Sequence, residues 1–75
     1  MKRQLSNREL EIAKRLEENT IYCISRRKNL TQKDRFKMAY HQHIVEFYQI
    51  LLCHGNSDVI YDYIDEYEKL IAEIA

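Results

Sequence analysis

The sequence predicts an all-α fold: a three-helix bundle, or a helical hairpin with a third helix, in which the second helix is central. Three observations predict it. Proline is absent and Gly55 is the only glycine, so nothing breaks a helix from within except at one point. No alternating strand-like run is bounded by turn residues. Two cap patterns and the glycine divide the chain into three periodic segments, expected over about 7–26, 32–54 and 57–74. Residues 1–75 read as a single helical domain.

The first segment opens with Ser6-Asn7-Arg8-Glu9, the form of a capping box. At 100° per residue, Ile12, Ala13, Leu16, Thr20, Cys23 and Ile24 share one arc, the expected buried face. The break "RRKNLTQKD" follows, with Thr31 as the next N-cap and Asp34 near the positive end of the new helix.

The second segment is apolar on two sides. One arc carries Phe36, Ala39, Tyr40, His43, Ile44, Phe47, Ile50 and Leu51; the other carries Met38, Val45 and Leu52, with Tyr48 nearby. A helix apolar on two sides is covered on two sides, which makes it the expected centre of the fold. Gly55 should end it as a C′ residue in the left-handed conformation, and Asn56 or Ser57 should cap the third helix. That helix has a stripe of Val59, Ile60, Tyr63, Ile64, Tyr67, Leu70, Ile71 and Ile74. Tyr61 is expected on its acidic back, with Asp62, Asp65 and Glu66.

A chain of 75 residues builds only a marginal core, so assembly as a homodimer is the expected way to bury more surface. Zero net charge hides an asymmetry. Residues 1–37 hold eleven of the twelve Lys and Arg and a net charge of +6, and residues 38–75 a net of −6. The halves should attract, within or between chains.

No apolar run reaches signal-peptide or membrane-span length, and two cysteines without a framework suit a reducing compartment. The expected location is cytoplasmic, without a membrane partner. Cys23 and Cys53 are expected too far apart along an antiparallel hairpin to bridge.

Catalytic, cofactor and metal sites are not expected. There is no glycine-rich phosphate loop and no nucleophile elbow. His41 and His43 point in nearly opposite directions on a helix, and Cys53-His54 has no second ligand pair. His43 is expected to be a partly buried core residue. The sharper feature is basic: Arg26, Arg27, Lys28, Lys33, Arg35 and Lys37 surround the first inter-helix turn, a candidate contact for phosphates or an acidic partner.

"LSNRELEIAKRL" resembles the first helix of LuxR-type DNA-binding domains, which often begin Leu-Thr-x-Arg-Glu. Where that family continues Ser-Asn-Lys-Glu-Ile-Ala, this chain has "EENTIYCISRRKN", and the capping box accounts for the match equally well. "FYQILLCHGNSDVIYDYIDEYEKLIAEI" resembles the small sporulation aspartyl-phosphate phosphatases, helical hairpins with Ser-Gln-x-Leu-Asp before Lys-Leu-Ile. Here Ile64-Asp65-Glu66-Tyr67-Glu68 stands in that place, without the serine and with Glu68 for the aspartate. Neither resemblance transfers an activity.

The function expected from these readings is a non-enzymatic regulator or adaptor that binds a protein partner through helix faces, as a homodimer. The contacts expected are Tyr22, Met38, Val45, Tyr48, Leu52 and Tyr61. The alternative is a nucleic-acid-binding regulator using residues 26–37. A third reading has the acidic face of the last helix imitating DNA.

Overall fold

The computed structural model describes residues 4–74. Residues 1–3, where no leader is expected, and residue 75, the end of the expected single domain, lie outside them. The described residues form three helices and no strands: α1 (Asn7–Ser25), α2 (Gln32–His54) and α3 (Asp58–Ile74).

Local chemistry sets the helix ends. The Glu9 amide donates to Ser6 Oγ at 3.2 Å while the Ser6 amide donates to Glu9 Oε1 at 2.9 Å, so the capping box closes. A second box forms at Thr31, where Thr31 and Asp34 exchange two 3.1 Å bonds. The Arg26 and Arg27 amides return to the carbonyls of Tyr22 and Ile24 and finish α1 one residue earlier than expected. Gly55 sends its amide to the Leu51 carbonyl at 2.9 Å. Its φ of 90° is positive, as expected. Its ψ of 173°, however, places it in an extended mirror region that only glycine occupies readily, rather than in the left-handed helical well.

α2 packs against both α1 and α3, which are parallel to each other and antiparallel to it. The core is small. Leu10 from α1, Ile44, Tyr48 and Leu51 from α2, and Tyr61 and Ile64 from α3 form one buried cluster, and Ile24 and Val45 are also buried. No helix among the described residues is long and apolar enough to cross a membrane.

Both outer helices are rotated from the faces their apolar residues suggest. On α1, Leu10 is 1% exposed, whereas Ile12 and Leu16 are 53% and 61% exposed and Cys23 faces solvent. Its inward stripe is Leu10, Ala13, Glu17, Ile21 and Ile24, with a glutamate at the middle. On α3, Ile60, Ile64, Tyr67 and Ile71 of the expected stripe meet the core, but Tyr61 is also buried, at 7% exposure, while Val59, Tyr63 and Leu70 lie outside it. The cause is the same in both cases. Each outer helix turns toward α2 and the space between α1 and α3, and that space also takes in polar side chains.

Candidate protein-binding face

Glu17, His41 and Tyr48 lie in the inner space, with the exposed Glu68 near Glu17 and Tyr48. His41 Nδ1 lies 3.1 Å from Glu17 Oε2, and their side chains are only 13% and 15% exposed. Burial, then the nearby Glu17 and Asp65 carboxylates, push the Glu68 pKa up from 4.5; His41 opposes them. Burial, reinforced first by Glu68 and then by Glu17, pushes the Tyr48 hydroxyl up to about 12. Among the described residues no group of three side chains is placed to hold a metal ion.

This interior claims three of the expected contact residues. Val45, Tyr48 and Tyr61 are buried within the chain's own fold. Leu52 is half-buried against the core, and Met38 is half-buried too. Tyr22 is exposed, but its ring lies under Arg26, whose carbon Cζ is 5.5 Å from the ring centre and whose Nη1 donates to the Tyr22 hydroxyl at 3.0 Å.

The basic segment is partly engaged as well. Arg27 pairs with Asp34 at 2.5 Å. The Thr31 amide chiefly, and then the Thr31 hydroxyl and Arg27, hold the Asp34 carboxyl below its usual range against the opposing effect of burial. Lys28, Lys33 and Arg35 are exposed and Lys37 half-buried. Arg35 borders a shallow hollow with Leu30, Gln32 and Phe36.

Further exposed apolar side chains lie along the α2–α3 seam. Phe36, Tyr40, His43, Phe47 and Ile50 recur at helical spacing on α2; Val59, Tyr63, Tyr67 and Leu70 do so on α3. Their rings join across the seam. Phe36 stacks on Tyr40 with centroids 6.5 Å apart, and Tyr40 and Phe47 each lie 5.6 Å from Tyr67. Phe47 stacks on Tyr63 at 5.5 Å, and the His43 ring lies 5.3 Å from Tyr67. His43 is therefore a seam residue, not a core one, with half of its side chain exposed beside Glu46 at 3.3 Å.

Phe36, Ile50, Val59, Tyr63 and Leu70 are all exposed. A single exposed apolar side chain is ordinary; here five lie on two neighbouring helices, which makes this face the candidate for an interaction. The arcs were visible in the sequence; their division between core and surface was not, because each arc is apolar throughout. Both cysteines are free and exposed, and Gln49 Nε2 contacts Cys53 Sγ at 3.0 Å.

No protein-family model matches this chain, and comparison with curated proteins and with solved structures returned no match.

Proposed function

We propose that this chain is a small non-enzymatic regulator or adaptor that works by binding another protein through the α2–α3 seam, and that it assembles as a homodimer. The observation that carries this reading is the chain of ring contacts along the seam from Phe36 to Tyr63, half-buried at Tyr40, Tyr67 and Phe47 and exposed at both ends. Tyrosine and phenylalanine supply large, rigid contact area at little entropic cost, and the charged side chains around them set orientation. Two free, exposed cysteines suit a reducing, cytoplasmic setting.

The test replaces both Tyr63 and Leu70 with glutamate. Both are exposed, so the helical content should persist in circular dichroism. Proteins retained by the wild type from a lysate of its host should be lost by this variant. Equal retention by the two forms would remove the seam from the mechanism.

The exposed cations Lys28, Lys33 and Arg35 favour a second reading, contact with nucleic acid. Phosphate binding would weaken steeply as salt rises, and replacing Arg26, Arg27 and Lys28 would flatten that slope. The engagement of Arg27 with Asp34 and of Arg26 with Tyr22 supports the protein-binding reading over this one.

A further inference from the structure

We infer that the end of the bundle where α1 turns into α2 docks end-on against an anionic lipid bilayer, with the helices standing away from the surface. This docking is independent of the seam reading and goes beyond it. No described helix is long and apolar enough to cross a bilayer, but attachment to its surface needs no crossing.

Charge is the first support. Residues 26–37 hold six lysines and arginines against one acid, Asp34, a net charge of +5. That acid is already taken by Arg27 at 2.5 Å. Arg26, Lys28, Lys33 and Arg35 are exposed and Lys37 is half-buried. α3 finishes at the same end of the bundle, where its Lys69 and Glu73 cancel. The surplus of positive charge therefore stands, and it suits a negatively charged partner.

The arrangement of the cations selects that partner. Around α2, Lys33 and Lys37 lie about 40° apart, and Arg35 lies about 160° from each. Arg26 and Lys28 come from the α1 side of the turn. A peptide or a duplex lying along the bundle would meet one of these sides and leave the others in water. A flat surface facing the end meets them together. Lys33 and Lys37 are only about 6 Å apart along the axis, within the ~8 Å over which surface charge acts at physiological salt. Single-stranded nucleic acid would need open aromatic faces on which to stack. Here the Tyr22 ring lies under Arg26 at 5.5 Å, and Phe36 is stacked on Tyr40 at 6.5 Å.

The hollow at this end is the third support. It sets the apolar Leu30 and Phe36 beside Arg35 and Gln32, and Phe36 is exposed. At a bilayer the apolar pair enters the boundary between headgroups and acyl chains while the guanidinium stays among the phosphates. End-on docking keeps Val59 and Tyr63, in the first half of α3, toward the opposite end. The seam thus stays open to a protein.

Sedimentation of the full chain with lipid vesicles tests the docking. At about 0.1 M salt, the wild type should pellet with phosphatidylcholine vesicles containing about 30% phosphatidylserine and stay in solution with phosphatidylcholine alone. Raising the salt to about 0.5 M should release it. Each cation near an anionic surface strengthens attachment about five-fold. Lys28→Gln with Lys33→Gln and Arg35→Gln should therefore weaken it roughly 100-fold, while circular dichroism stays helical. Arg8→Gln with Arg15→Gln removes exposed cations away from this end and should leave attachment nearly unchanged.

A wild type that stays in solution with both kinds of vesicle overturns the inference. So does attachment that the triple variant keeps, or that the Arg8 and Arg15 variant loses to the same degree. Retention of a single-stranded oligonucleotide through the same three cations, without attachment to phosphatidylserine, also overturns it and returns this end to the nucleic-acid reading.

Discussion

The Tyr61 hydroxyl accepts a hydrogen bond from the Leu5 amide at 2.9 Å, joining two residues 56 positions apart. The same hydroxyl donates to Asn56 Oδ1 at 2.6 Å. One side chain therefore ties the segment before α1 to the turn before α3. Tyr61→Phe keeps the buried ring but leaves the amide and the asparagine without this partner. Urea denaturation should show a loss of about 1–3 kcal/mol.

The rotation of α1 has a direct measure. Leu10→Ala empties a fully buried site and should cost about 2–5 kcal/mol. Ile12→Ala removes an exposed side chain and should change stability by about 0.5 kcal/mol or less. Equal losses at the two positions would contradict the observed face of the helix.

Glu68 gives stability a dependence on pH. Its folded pKa is raised above 4.5, so protonation favours the folded chain over the unfolded one. The stability linked to the protonated form is fully present below the unfolded value and is lost as pH rises through the folded one. The surrounding titratable groups are Glu17 on α1, His41 and Tyr48 on α2, and Asp65 on α3. Glu68→Gln removes the repulsion. Thermal melts should therefore show a higher Tm for the variant at neutral pH and a smaller difference in acid. The side chain retains contact with water, which limits the gain to a few tenths of a kcal/mol, or about 0.5 at most.

At Gly55 the conflict is in the backbone alone. A Cβ there would meet nothing within 4 Å, yet φ is 90°. Gly55→Ala should therefore cost about 1 kcal/mol or more, from strain and not from crowding. The loss would appear in the same urea experiment.

Helix positions were legible because their signals are local. Ser6 with Glu9, Thr31 with Asp34, and Gly55 each act within a few residues. The central place of α2 was legible for a related reason, since apolar residues line both of its sides. The facing of α1 and α3 was not. Glu17 reads as a solvent residue until His41 is brought 3.1 Å from it, and Tyr61 reads as part of an acidic back until Leu5 and Asn56 receive its hydroxyl. Both cases depend on partners distant in sequence. The seam was half legible: its spacing was plain, but α2 has more apolar surface than two helices cover, and only packing reveals which edge is left over.

α2 contacts both outer helices, while α1 and α3 make no comparable backbone approach to each other. The molecule is thus two hairpins sharing one arm. Either outer helix can detach without breaking the other's helix-to-helix contact. α3 is held by its share of the core and by the Tyr61 strap, and Gly55 sits at its pivot. Excursions of α3 would bare Ile44 and Leu51 while leaving the α1–α2 hairpin standing. Amide exchange should register this as a separate, lower-energy opening rather than as global unfolding.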